Sequence, residues 1–195
     1  SLSKSCANMV SNRVLEQVLA WAMEEVGAPS YTEEEYEKAA AYTATVPGVE
    51  DSTYERITAD CLIPENISFL KERKNHAIRD FIVPYEPIHI VKAEGGSTDV
   101  GDVSWICPTA QIHAATWAPA TPGHSWQVVS QGKSSMAHKG MLFAGKVMAL
   151  AAMRLMEDPA LLKKAREMFE EDLQGQRYIP IPDEVAPRAM SSFLG

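Results

Sequence analysis

Apolar residues recur at helical spacing near the start of the chain. Residues 12–26 carry such a stripe, which Ser11 or Asn12 can cap and which Gly27 can end. Residues 32–43 form a second predicted helix, opened by Thr-Glu-Glu-Glu, in which the threonine and the third glutamate match a capping box. Each helix is expected to place one apolar face on a core.

Two further helices are predicted towards the other end of the chain. Ser134 or Ser135 can cap a long helix that runs to about Met156, and its apolar residues occupy most of its circumference. This pattern is typical of a helix that is buried on more than one side. Asp158 followed by proline is a start signal for a last helix over residues 159–173.

The middle of the chain has weaker patterns. Prolines interrupt residues 46–87, which we expect to be a connector with one short helix over residues 67–74. Strands are predicted over residues 88–93 and 109–118, and a short helix over residues 100–106 lies between them. Strands alternating with helices predict an α/β fold, although two or three strands against five or so helices are few for a complete sheet.

Composition narrows the functional classes. The chain has 195 residues, enough for one domain, and 46% of them are hydrophobic. The net charge of −8 comes without a basic cluster, which argues against a nucleic-acid partner. The longest apolar segment, residues 141–156, is too short to cross a bilayer, so no membrane association is expected. Cys6, Cys61 and Cys107 are widely spaced and odd in number, which suits a reducing, cytoplasmic location.

Candidate chemistry is concentrated in a Thr-Pro-Gly-His-Ser-Trp segment, whose His124 could ligate a divalent metal or be an ordinary surface histidine. Asp99 could be a ligand, could orient a histidine, or could cap its helix, and capping is favoured. His113 is expected to be a packed strand residue and His138 to shape the first turn of the long helix. A triad of Ser97, Asp99 and His124 is disfavoured, because no Gly-x-Ser-x-Gly elbow is present.

Ligand counting argues against an independent metal centre. A catalytic zinc site normally has three protein ligands, and this chain offers one good candidate. No His-x-Asp or His-x-x-His pair is present, and no candidate for the catalytic base accompanies the histidine. No catalytic residue is therefore assigned in this chain.

Three segments, residues 8–35, 96–105 and 116–141, resemble the C-terminal part of metal-dependent amidohydrolases of the aminobenzoyl-glutamate utilisation protein B type. These belong to the aminoacylase and carboxypeptidase superfamily. The resemblance implies a three-layer α/β/α zinc-peptidase-like catalytic domain, interrupted by an inserted lid and dimerisation domain. It also implies hydrolysis of an amide bond to an amino acid with the help of two divalent metals.

Carried over by position, the resemblance makes His124 a metal ligand and assigns a turn beside the active site to the substrate pocket: Gly96, Ser97, Thr98 and Asp99. The family's other ligands and its catalytic glutamate lie upstream of the lid domain and have no counterpart here. Residues 1–195 are therefore expected to form the C-terminal half of the catalytic domain and to be inactive alone.

The resemblance also implies partners. The parent enzyme would take a small-molecule amide, such as p-aminobenzoyl-glutamate or an N-acyl amino acid, and would use zinc or manganese, which this chain alone would bind weakly or not at all. The other half of the catalytic domain would be its main partner, and homo-oligomerisation stays open. The alternative is a non-catalytic subunit or interaction module that completes a site on another chain.

Overall fold

The computed structural model describes residues 6–87 and 98–182. Within these ranges the chain forms α-helices only: α1 (Arg13–Val26), α2 (Glu33–Ala44), α3 (Ser52–Asp60), α4 (Pro64–Glu72), α5 (Val100–Ser104), α6 (Trp126–Gln131), α7 (Ser135–Glu157) and α8 (Pro159–Leu173). The chain divides into two compact units, with one boundary inside α1. The first unit comprises Ser1–Glu16, Ala93–Gln111 and Asp158–Gly195, and the second comprises Gln17–Lys92 and Ile112–Glu157.

The caps of α1 and α2 are those that the sequence indicates. The Asn12 side chain accepts a hydrogen bond from the Leu15 N–H at 3.1 Å, so Asn12 rather than Ser11 caps α1. Gly27 follows α1 with φ +73°, a left-handed conformation that glycine adopts without a steric penalty. In α2 the Thr32 N–H donates to Glu35 Oε2 at 2.7 Å, and the Glu35 N–H donates to the Thr32 hydroxyl at 3.4 Å. The capping box is therefore confirmed.

Residues 46–87 contain more helix than the sequence predicts. Asp51 caps α3 through the Tyr54 N–H at 3.1 Å, and α4 begins several residues before the predicted helix over residues 67–74. Ile63 at the N-cap of α4 makes no side-chain capping hydrogen bond, and Glu86 accepts the N–H groups of Leu62 at 2.7 Å and Ile63 at 3.2 Å, which precede the helix. Pro64 at the first helical position is a local start signal that the prediction does not use.

The predicted strand over residues 109–118 is wrong. In the described part of the chain no strand is present, and the one isolated bridge pairs Ser11 with Thr109 in parallel. Part of this segment packs on a helix instead, since a Cβ on Gly140 of α7 would lie 2.1 Å from the Ala115 carbonyl oxygen. The predicted strand over residues 88–93 lies outside the described residues. For the described residues, the expectation of a helix-rich chain with few strands is confirmed, and the three-layer α/β/α arrangement is not.

The first unit is held by contacts between α1, α8 and the segment that follows α5. Asn12 is buried, and its Nδ2 donates to the Ala165 carbonyl oxygen of α8 at 2.8 Å. The Asn12 N–H donates to the Thr109 carbonyl oxygen at 2.9 Å. Phe169, further along α8, is also buried. The Asn12 side chain therefore both caps α1 and forms a hydrogen bond to the backbone of α8.

The second unit is built around α2, α7 and the loops between them. Its core cluster consists of Ala39, Ile78, Ala118 and Met136. Three tyrosines cover this cluster, and Tyr36 also donates its hydroxyl to Asp80 at 2.7 Å. Helix α7 buries a single face, so the expectation of burial on more than one side is wrong for the chain as described. Its opposite face carries exposed apolar residues, among them Met141 and Met148.

Candidate functional site

His124 lies in a loop of the second unit and is exposed. Its backbone is left-handed, with φ +56°, and so is that of Ala120, with φ +58°. The preceding Gly123 does not share this conformation. A left-handed non-glycine residue costs about 1 kcal/mol, and such strain concentrates at functional positions. The loop thus carries a histidine at a position whose left-handed backbone conformation favours glycine.

The His124 loop is held by the buried side chain of Gln131, at the end of α6. Its Oε1 accepts the Ala118 N–H at 2.8 Å, and its Nε2 donates to the Thr121 hydroxyl oxygen at 3.2 Å. The Thr121 hydroxyl in turn donates to the Ala118 carbonyl oxygen at 2.6 Å. Ser125 caps α6 by accepting the Val128 N–H at 3.3 Å. Neither α6 nor the role of Gln131 was predicted, although Ser125 directly after the histidine is a start signal for a helix.

Of the turn assigned to the substrate pocket, Thr98 and Asp99 belong to the first unit, whereas His124 belongs to the second. Gly96 and Ser97 lie outside the described residues. Thr98 and Asp99 are exposed. Asp99 stands at the N-cap position of α5, but its side chain makes no capping hydrogen bond, and the Val100 N–H instead donates to the Thr98 hydroxyl oxygen at 3.3 Å. Asp99 therefore occupies the predicted N-cap position without the side-chain hydrogen bond of a cap.

The residues that follow this turn have a structural role that the sequence patterns did not indicate. Asp102 accepts the Ala7 N–H at 2.7 Å, and the Ser104 hydroxyl oxygen accepts the Val10 N–H at 2.9 Å. A Cβ on Gly101 would lie 2.1 Å from the Ala7 carbonyl oxygen, so only glycine permits this approach. The Gly-Asp-Val-Ser sequence thus binds the N-terminal segment to α5.

A partly buried ion pair joins α2 to the second turn of α7. Lys139 Nζ donates to Glu35 Oε2 at 2.6 Å and to the Ser30 carbonyl oxygen at 3.0 Å. Glu35 is 7% exposed, and burial by itself would raise its pKa. Hydrogen bonds from Lys139, Ser135 and the Thr32 backbone outweigh that effect and lower the pKa to about 2. Glu35 is therefore ionised at neutral pH.

The other two histidines of this region are exposed. His113 is exposed rather than packed, which corrects the expectation for the absent strand. His138 lies in the first turn of α7, as expected, and its N–H donates to the Ser134 carbonyl oxygen at 3.1 Å. Neither residue joins His124 in a cluster of potential ligands within the described residues.

A metal ion would need more ligands than this part of the chain provides. Among residues 6–87 and 98–182, no three His, Cys, Asp or Glu side chains are grouped so that they could hold a metal ion. One imidazole does not make a catalytic site, which normally has three protein ligands. The described residues alone therefore do not fit the metal centre that the resemblance implies.

No described helix is both long enough and apolar enough to span a membrane.

Comparison with known proteins identifies a relative. The chain is 36% identical over 186 residues to the B subunit of p-aminobenzoyl-glutamate hydrolase from Escherichia coli (strain K12), a match that covers 94% of this chain and 38% of that protein. No protein-family model and no solved structure matches the chain. The chain therefore spans well under half the length of its relative. The resemblance inferred from the sequence segments is confirmed, and the chain is a relative of the p-aminobenzoyl-glutamate hydrolase B subunit.

Proposed function

We propose that this chain is part of a metal-dependent amidohydrolase that cleaves an amide bond to an amino acid. Candidate substrates are p-aminobenzoyl-glutamate and N-acyl amino acids. The observation that carries this proposal is the 36% identity, which extends over 94% of the chain. Because the match covers 38% of the relative, the activity would belong to a larger protein or assembly.

Within that protein, His124 would supply one ligand to a divalent metal, zinc or manganese. Three observations support this role: the imidazole is exposed, its backbone is held left-handed, and buried Gln131 anchors the loop that carries it. The turn of Gly96, Ser97, Thr98 and Asp99 would form part of the substrate pocket. The remaining ligands and the catalytic base would come from residues outside this chain, and we therefore assign no reaction step to the residues described here.

The architecture proposed for the whole catalytic domain is a three-layer α/β/α sandwich, of which residues 1–195 would be the C-terminal half. The scarcity of strands in the described residues supports this division, because the sheet would come from elsewhere in the protein. We also propose that the protein works in the cytoplasm, which an odd number of widely spaced cysteines supports.

A second candidate function is that of a non-catalytic subunit that completes a site on another chain. The name of the relative supports it, since that protein is itself designated a subunit of a hydrolase. The two proposals differ in where the missing ligands reside. The first places them in a continuous polypeptide, and the second places them in a separate partner.

Hydrolysis of p-aminobenzoyl-glutamate tests the first proposal. The 195-residue chain with added manganese or zinc should give no turnover, whereas a hybrid of the E. coli relative in which this chain replaces the matched segment should be active, together with any partner that the parent protein needs. His124→Asn tolerates the left-handed backbone and removes the imidazole, so it should abolish the hybrid's turnover. Gly123→Ala, one residue earlier and with open space around the new methyl group, should retain it. Turnover by the chain alone, or full activity of the His124→Asn hybrid, would contradict the proposal.

A further inference from the structure

The side chain of Asp99 contacts the N-terminal segment, residues 6–10. Cys6 Sγ donates a hydrogen bond to Asp99 Oδ1 at 3.6 Å. Asp99 stands at the N-cap position of α5, yet the Val100 N–H donates to the Thr98 hydroxyl oxygen and not to the aspartate. The carboxylate is therefore not used as a helix cap, and a thiol from 93 positions earlier in the chain contacts it.

Backbone contacts hold Cys6 at this position. The N–H of Ala7, the next residue, donates to Asp102 Oδ1 at 2.7 Å. A Cβ on Gly101 would clash with the Ala7 carbonyl oxygen, so the N-terminal segment lies directly against α5. Helix α5 also begins immediately after Asp99. The thiol and the carboxylate are thus both held by the same helix, which favours a defined distance between them.

From this geometry we infer that Cys6 is a positioning residue of the substrate pocket, whose thiol orients the Asp99 carboxylate towards an N–H group of the amide substrate. The inference rests on the proposed function, which places Asp99 in that pocket. Asp99 is exposed, so a bound molecule can reach it. Cys6 would act through Asp99 and would not itself touch the substrate.

The chemistry of the two groups determines which part of a substrate Asp99 would bind. A carboxylate offers about four acceptor positions, of which the thiol occupies one. It accepts hydrogen bonds from N–H groups and repels other carboxylates. Asp99 would therefore face the amide or amino nitrogen of a substrate such as p-aminobenzoyl-glutamate, and not its carboxylates.

A thiol suits this role because it is a neutral, weak donor. A lysine or arginine at position 6 would form an ion pair with Asp99, and its positive charge would offset the charge that attracts the substrate donor. The Cys6 thiol fixes one oxygen of the carboxylate and leaves the charge of the group in place.

Kinetics of p-aminobenzoyl-glutamate hydrolysis by the hybrid with the E. coli relative test the inference. Cys6→Ala removes the donor and should raise KM about three- to tenfold, with kcat changed by less than about twofold. Cys6→Ser keeps an O–H donor and should restore KM to within about twofold of the parent value. In an Asp99→Ala background, Cys6→Ala should have no further effect, because its effect is transmitted through the carboxylate.

Two kinetic results would overturn the inference. One is an unchanged KM in the Cys6→Ala hybrid. The other is an effect of Cys6→Ala that is equally large in the Asp99→Ala background, since Cys6 would then act by another route. A melting temperature that falls by about 5 °C or more in Cys6→Ala, with kcat reduced and KM unchanged, would assign Cys6 a structural role only.

Thiol alkylation of the 195-residue chain tests the contact without turnover. Iodoacetamide reacts with the thiolate, which a neighbouring carboxylate disfavours. Asp99→Ala should therefore speed the alkylation of Cys6, measured by mass spectrometry, by about threefold or more, while Cys61 reacts as in the parent chain. Asp172→Ala, which removes an exposed carboxylate from α8, should change neither rate.

The alkylation result also separates this inference from the proposed function. An unchanged rate at Cys6 in the Asp99→Ala chain would overturn the inference, whatever the kinetics of the hybrid. Faster alkylation of Cys6, together with a hybrid that does not hydrolyse p-aminobenzoyl-glutamate, would support the contact between Cys6 and Asp99 and count against the proposed function.

Discussion

Two glycines on α7 provide a matched test of how this helix packs. A methyl group on Gly140 would lie 2.1 Å from the Ala115 carbonyl oxygen and 3.0 Å from the Thr116 methyl group, while one on Gly145 would meet nothing within 4 Å. Overpacking a tight contact costs about 1–3 kcal/mol, and the upper end applies here because the obstacle is backbone. Replacing glycine by alanine inside a helix contributes about 1 kcal/mol of stability at both positions.

Gly140→Ala should therefore destabilise the chain by about 2 kcal/mol, and Gly145→Ala should stabilise it by about 1 kcal/mol. Urea denaturation followed by far-ultraviolet circular dichroism measures both values, and thermal unfolding should separate the two variants by about 6–12 °C. The two substitutions are chemically identical and lie on one helix, so propensity cancels in their difference. A Gly140→Ala chain as stable as Gly145→Ala would refute the close packing of Ala115 and Thr116 on α7.

Three further predictions follow from the second unit. The pKa of Glu35 is lowered to about 2 in the folded chain, so the contribution of Glu35 to stability is complete above pH 4.5 and should be lost as the pH falls towards 2. In this acid range the parent chain should lose about 1–2 kcal/mol of unfolding free energy, a value reduced because water screens the lysine side of the pair. A Glu35→Gln variant should not show this loss when it is titrated with acid. His124→Gly should raise the free energy of unfolding by about 1 kcal/mol because it relieves a left-handed backbone, and an equal gain from Gly123→Ala would argue against that cause. Gln131→Leu should lower stability by about 2–3 kcal/mol and speed hydrogen exchange at the Ala118 amide, and an unchanged exchange rate would exclude the anchoring role.

Local signals were sufficient for most of the helices. The capping box at Thr32 and the Asp158-Pro159 start of α8 act within a single turn, so the sequence alone marks them. The start of α4 is mispredicted because Pro64, a start signal at the first helical position, is interpreted as an interruption.

The false strand over residues 109–118 has a different cause. Alternating polar and apolar residues indicate extended backbone, but a strand also needs a neighbour, and pairing cannot be read from one segment. In the described residues that segment packs on α7 at Gly140 instead. The candidate site was anticipated only in part, because the segment around His124 is distinctive whereas the role of Gln131 depends on contacts across the loop.

The carboxylate of Glu35 makes two kinds of contact. It accepts the Thr32 N–H in the capping box of α2, and it forms an ion pair with Lys139 of α7. Substitutions at Thr32, Glu35 and Lys139 are therefore expected to have effects that depend on one another. A substitution at Thr32 weakens the turn that orients the carboxylate, and its effect should depend on whether Lys139 is present. Homologous chains are expected to exchange the whole group of interacting residues rather than single members, which makes this contact between α2 and α7 a site of epistasis.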